Sequence, residues 1–304
     1  MEKNGNYNFE KLIERVKDSF DDTDLDKLFY QLKGIQGHTL VSGVGGSSVI
    51  SEMASKVLRE KNHIITQNVE PRDFSYRNLD GYSNVLSCSY SGNNYGVELS
   101  FLNDLKHYLL SSKRNEREDI HNLTYTCRNS EKSFISLGAT LIPCSILLDY
   151  YLDGESSQVF EQLEKKEFSF DGKVPVFEIF SGLDTSTASK YLESTMVESG
   201  IGIPIVHDKY SYCHGRSTTC KNQSSVAIYF DTHTELDQLL LEEIPKYYQD
   251  VVVLDVPKGL VGDYSALVQS MYLTKHIGDQ KGMDLSGVDY NPIVKKLYKY
   301  HGEV

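Results

Sequence analysis

Tryptophan is absent from the chain, and proline (7) and cysteine (5) are scarce among its 304 residues. The cysteines, Cys88, Cys127, Cys144, Cys213 and Cys220, are scattered, odd in number and form no CxxC pair. That excludes a disulfide framework and predicts reduced thiols in a cytoplasmic protein. Cys213-His214 with Cys220 has no second ligand pair to complete a four-ligand site, so no metal is expected. No window approaches the ~18 uncharged apolar residues of a membrane span. The opening stretch MEKNGNYNFEKLIERVKDSF has no apolar h-region, so no signal peptide is expected. Positive charge is in deficit: 31 Lys and Arg against 43 Asp and Glu give a net charge of −12. Such a chain is a poor non-specific partner for nucleic acid or an anionic membrane, and neither is expected. An anionic substrate would need local donors.

What is present is an ordinary globular balance, with 39% hydrophobic and 24% charged residues. The length suits one large core or two domains of about 130 to 150 residues. The 21 tyrosines read as structural or interfacial.

Two stretches carry the chemistry. Ser42-Gly43-Val44-Gly45-Gly46-Ser47-Ser48 follows the apolar run HTLV, and Ser87-Cys88-Ser89-Tyr90-Ser91-Gly92-Asn93-Asn94 follows NVL. Each precedes a run with helical spacing. A strand, a Gly/Ser-rich turn and a helix start together make an anion site, because free N–H groups and the helix dipole face the ligand. Glycine lets backbone come close, and serine adds donors. Two such turns from one sheet close around one phosphate. GVGGSS does not complete the dinucleotide pattern G-x-G-x-x-G, since its last position is Ser48.

Along the chain, Asn8 to Lys33 has helical spacing with a break near Asp21–Asp24, where Thr23 or Asp24 would cap a second helix. Strands are predicted at 38–42, 63–67, 84–88 and 122–127, with 139–142 a further candidate, and helices at 47–61, 94–112 and 144–152. A polar stretch follows. Then come strands at 175–180, 203–206, 224–230 and 250–255 and helices at 184–198, 234–248 and 263–280. Short apolar strands alternating with helices indicate an α/β chain with parallel sheets covered on both faces. The expected organisation is a helical segment over 1–34, a phosphate-binding domain over 35–152, a linker over 153–173, a second domain over 174–281 and a tail over 282–304. VFEIFSGL at Val176–Leu183 weakly echoes HTLVSGVG. The halves read as two copies of one architecture, the second without the Ser-rich turn.

Together GVGGSS and SYSGNN resemble the sugar isomerase (SIS) family, over residues 38 to 300. The likeness is to the bifunctional phosphoglucose/phosphomannose isomerases and to the isomerase half of glucosamine-6-phosphate synthase. It implies two tandem doubly wound SIS domains, each a three-layer α/β/α sandwich, binding a phosphorylated sugar without a cofactor. By position it implies that Ser47, Ser89, Ser91 and Asn94 hold the phosphate, Asn94 standing where the family has Thr. Gly46, Ser48, Tyr90 and Asn93 complete the two turns. Glu198 matches the base that moves a proton between C1 and C2, with Glu193 the alternative. His214, in Tyr212-Cys213-His214-Gly215-Arg216, matches the histidine that assists ring opening and that in the family reaches in from the other subunit of a homodimer. Lys295, or Lys296 beside it, matches the tail lysine. Arg216 stands where the synthases have proline, and it is a candidate to pair with substrate or an acidic residue.

The chemistry suits these groups. One carboxylate of raised pKa takes and returns the proton, histidine shuttles a proton near neutral pH, and a lysine stabilises the enediolate. The phosphate is a handle that fixes the sugar. The expected function is therefore aldose–ketose isomerisation of a hexose or amino-hexose phosphate. The alternatives are a non-catalytic sugar-phosphate-binding or regulatory protein, and a deglycase or deaminase of an amino-sugar phosphate.

Overall fold

The computed structural model describes residues 5–76, 78–128, 135–218 and 224–285. Three helices come first: α1 (Gly5–Glu10), α2 (Leu12–Asp22) and α3 (Leu25–Lys33). The break falls where the acidic run predicts it. Asp24 caps α3, its carboxylate accepting the Lys27 N–H at 3.1 Å. Leu12, Val16, Phe20, Leu28 and Leu32 form the buried stripe.

The first sheet contains β1 (Thr39–Ser42), β2 (Thr66–Val69), β3 (Asn84–Cys88), β4 (Lys106–Ser111) and β5 (Ile120–Thr124). All pairings are parallel, in the order β2-β1-β3-β4-β5. Its helices are α4 (Gly46–Lys61), α5 (Tyr95–Ser100) and α6 (Gly138–Tyr151), and the short α7 (Ser156–Glu161) follows. The second sheet contains β6 (Val176–Ser181), β7 (Ile203–Asp208), β8 (Ser225–Asp231) and β9 (Asp250–Asp255). It is also parallel, in the order β7-β6-β8-β9, which repeats the arrangement of the first four strands. With it go α8 (Ser186–Ser199), α9 (Lys209–Tyr212), α10 (Glu235–Glu243) and α11 (Gly259–Gln280).

Helices α4, α6, α8 and α11 pack on one another between the sheets, α4 against α8 and α6 against α11. One apolar core runs from Val41 and Leu86 through Met53, Leu147, Leu192 and Leu267 to Ile179 and Ile228. In the first sheet the winding direction reverses between β1 and β3. Ligands of such sheets sit at that switch point, beyond the carboxyl ends of the strands.

The strand predicted at 63–67 falls at Thr66–Val69, and two further elements differ in kind from the sequence pattern. The helix predicted over 94–112 ends at Ser100, and Lys106–Ser111 is β4. Asn103 breaks it, donating its amide to the Ser100 carbonyl (2.9 Å) while its Oδ1 accepts the Leu105 N–H (3.0 Å). The candidate strand at 139–142 lies inside α6. That helix is buried on all sides, so its apolar run has no period to separate helix from strand.

Candidate functional site

The first turn leaves β1 at Ser42. Gly45 takes φ 58°, ψ −131°, a conformation that glycine alone adopts readily, and precedes α4 with no capping side chain. The turn is tight: the Ser47 N–H donates to the Val44 carbonyl at 3.1 Å and the Ser48 N–H to the Gly45 carbonyl at 2.9 Å. Gly46 and Ser47 are half-buried and Ser48 is buried.

The second turn leaves β3 at Cys88. Ser89 is buried, and its hydroxyl accepts the Gly92 N–H at 3.1 Å and the Asn94 side-chain amide at 3.2 Å. The Asn94 Oδ1 in turn accepts the Val97 N–H at 2.9 Å and caps α5. Ser89 and Asn94 thus hold the turn in shape, while Ser91 is half-buried and Asn93 exposed. The Tyr90 carbonyl accepts the Ser112 N–H (3.2 Å) and hydroxyl (2.8 Å), and the Gly92 carbonyl accepts the Asn115 amide (3.1 Å). Both ties anchor the turn to the loop after β4.

The two turns lie against each other. Val44 Cγ2 is 2.8 Å from the point where a β-carbon on Gly96 would stand. At Gly46 the corresponding point is 2.8 Å from Ser136 Oγ and 3.2 Å from Thr140 Oγ1. Ser136 is half-buried just before α6, and Thr140 is sealed from solvent with no hydrogen-bond partner for its hydroxyl among the described residues. Sequence reasoning missed this third Ser/Thr-bearing turn. The signal is present in S-L-G-A-T at Ser136–Thr140, but the candidate strand at 139–142 and a helix placed only from 144 obscure the turn that opens α6.

At Gly45 the point lies 3.7 Å from Glu198 Oε1. Glu198 sits in the last turn of α8 and accepts the Ser194 hydroxyl at 3.1 Å. Although the residue keeps much of its surface in solvent, burial of the carboxyl raises its pKa, opposed by the Ser194 hydrogen bond. Glu193, the alternative, is exposed on the same helix. The arrangement sets one desolvated carboxylate beside the glycine turn.

His214 and Arg216 lie exposed in the loop that follows α9, at the end of edge strand β7. His214 donates its backbone N–H to the Ser211 carbonyl at 3.1 Å. No hydrogen bond or ion pair among the described residues joins it to Glu198. Lys295 and Lys296 lie outside the described residues, as does Cys220. Among the described residues no three His, Cys, Asp or Glu side chains gather as metal ligands.

No protein-family model matches the chain, and no curated protein matches it in sequence. Solved structures do match. Glucosamine-6-phosphate deaminase from Thermotoga maritima is 14% identical with a TM-score of 0.70, over 91% of this chain and 96% of that one. The C-terminal domain of glucosamine-fructose-6-phosphate aminotransferase from Francisella tularensis is 12% identical with a TM-score of 0.71, over 94% and 98%. Tagatose-6-phosphate ketose/aldose isomerase from Escherichia coli is 13% identical with a TM-score of 0.67, over 95% and 95%. At such identity the likeness establishes the fold, two parallel sheets flanked by helices, and leaves function to the site.

Proposed function

We propose that the chain is a sugar-phosphate isomerase of the SIS type, with two tandem domains over 35–152 and 174–281. It holds the phosphate of a hexose or amino-hexose phosphate between the turns at Gly46–Ser48 and Ser89–Asn94. The observation that carries the reading is the Glu198 carboxylate beside Gly45, at the switch point of the first sheet. A phosphate held by the helix-start N–H groups fixes the sugar so that C1 and C2 come within reach of Glu198. Glu198 takes the proton from one carbon and returns it to the other, and its raised pKa suits both transfers. His214 serves ring opening from the second subunit of a homodimer, and Lys295 stabilises the enediolate. A structural neighbour named as a tagatose-6-phosphate ketose/aldose isomerase supports the substrate class.

The test is exchange of the C2 proton with solvent deuterium across a panel of hexose and amino-hexose phosphates. Exchange in the wild type that is lost in Glu198→Gln supports the reading. Tight binding of a sugar phosphate with no exchange rejects it in favour of a binding protein. Because a named neighbour is a glucosamine-6-phosphate deaminase, the same assays are followed for released ammonia or amine, which would assign deamination or deglycation instead.

A further inference from the structure

The second sheet has the same strand order as the first four strands of the first, so the start of α8 after β6 corresponds to the start of α4 after β1. In α4 that helix start faces the candidate site. In α8 an internal anion already occupies it. The Asp263 carboxylate of α11 accepts the Ala188 N–H at 3.2 Å and the Thr187 N–H at 3.4 Å. The turn after β8, which corresponds to the turn after β3, is filled likewise. There Asp237 accepts the Thr232 N–H at 3.1 Å, the Thr234 N–H at 3.0 Å and the Lys209 ammonium at 2.5 Å. Carboxylates of the chain itself thus close both turns of the second half.

Asp263 also joins the halves. It is completely buried, and its partner is Lys56 of α4, which is 3% exposed and donates as well to the Leu183 carbonyl at 2.7 Å. Burial pushes the Asp263 carboxyl up, and the Lys56 ammonium and the α8 N–H groups draw it back down. A buried ion pair adds little net stability over apolar groups of the same size, because both charges lose their water. What it does impose is one geometry.

That geometry reaches the site, because α4 and α8 run antiparallel. Lys56 meets the start of α8 through Asp263, the Ser186 hydroxyl donates to Glu52 at 2.7 Å, and Glu198 at the far end of α8 lies beside Gly45 at the start of α4. Sliding α8 by one residue displaces Glu198 by about 1.5 Å. A displacement of about 1 Å at a reacting group costs on the order of a hundredfold in rate.

We propose that Lys56 and Asp263 are positioning residues for Glu198: the buried pair, with Asp263 seated on the α8 N-terminus, fixes the register of α8 on α4 and so holds the Glu198 carboxylate at the Gly45 turn. This rests on the reading of Glu198 as the base.

The test compares Lys56→Met, Asp263→Asn and the double variant in the full chain. Both single variants lose stability, because each leaves a buried group without its partner, and the double variant regains part of it. The rate of C2 exchange falls on the order of a hundredfold in all three, the double included, while KM changes by less than about threefold because the phosphate turns are untouched. A double variant that regains its rate along with its stability overturns the proposal, as does any variant whose rate per folded molecule stays at the wild-type value. A readout free of turnover is the titration of the Glu198 carboxyl by carbon NMR, assigned with Glu198→Gln. It moves down toward the ordinary carboxylate range in the double variant if Glu198 leaves the turn, and an unmoved titration overturns the register role. If the wild type exchanges no proton on any sugar phosphate and this titration still moves, the proposed reaction fails while the register role stands.

Discussion

Asn94 donates its side-chain amide to the Ser89 hydroxyl at 3.2 Å while its Oδ1 caps α5 through the Val97 N–H at 2.9 Å. One residue therefore shapes the second turn and starts the helix behind it. Asn94→Ala removes both bonds and is expected to cost about 1 kcal/mol, the usual loss of an N-cap, read by urea unfolding. Calorimetric titration with a sugar phosphate should show weaker binding. Asn94→Thr keeps a capping oxygen and should retain most of the stability, with an affinity between the other two because the bond to Ser89 is lost. Equal affinity in all three proteins would show that the turn does not hold the ligand.

Glu198 makes a pH prediction whose sign follows from its surroundings. Burial raises its carboxyl above the usual 4.5. Only the deprotonated form can act as base, so the acid limb of the rate profile should fall at a pH above that ordinary value. Removal of the Ser194 hydroxyl, whose bond lowers the pKa, should move that limb to still higher pH in Ser194→Ala. Stability runs the other way. The folded protein binds the Glu198 proton more tightly than the unfolded chain, so the group's contribution is complete at low pH and is lost as pH rises through the raised pKa. Glu198→Gln is therefore expected to unfold at a slightly higher temperature than the wild type at neutral pH. A lower one, with the fold intact by circular dichroism, would refute the desolvation of this carboxyl.

The third turn separates a structural hydroxyl from an accessible one. Thr140 is sealed and its Oγ1 has no partner among the described residues, whereas Ser136 is half-buried at Gly46. Thr140→Val removes an unsatisfied buried polar atom, whose desolvation costs about 1–3 kcal/mol. It should leave stability unchanged or raise it and should not alter sugar-phosphate affinity. Ser136→Ala should lower the affinity with little effect on unfolding. Measuring both by thermal melts and calorimetry checks the assignment, and a reversed pattern rejects it.

The sheets were legible because their strands are short apolar runs punctuated by Gly and Ser, and the turns fell at the predicted places. The sequence favours Glu198 over Glu193 as the base, and the fold sets Glu198, not Glu193, beside Gly45. The two residues share a helix, and the antiparallel packing of α4 on α8 decides which of them reaches Gly45. Two elements eluded the sequence for the opposite reason. β4 after its exposed Lys106 and α6 up to Tyr150 are buried, and uniform burial erases the period that tells helix from strand. With α6 misread, Ser136 and Thr140 were hidden at its start. Lys56 and Asp263, 207 positions apart, left no local signal at all.

His214 lies exposed beyond edge strand β7 and makes no hydrogen bond or ion pair with Glu198 among the described residues. The proposed function needs both groups at one sugar, and a homodimer in which each subunit lends His214 to its neighbour supplies them. In such a dimer a His214→Ala subunit retains a good Glu198, and a Glu198→Gln subunit retains a good His214. Each variant alone should lose on the order of 10²- to 10⁴-fold in C2 exchange, the usual worth of a general acid or base. After unfolding and refolding as an equimolar mixture, half of the dimers are mixed, and each contains one site with both groups intact. Exchange should then recover to about a quarter of the wild-type rate per subunit, since one site in four is complete. Size-exclusion chromatography with light scattering establishes the dimer beforehand. If the refolded mixture is no faster than the average of the two variants, His214 does not act across the interface.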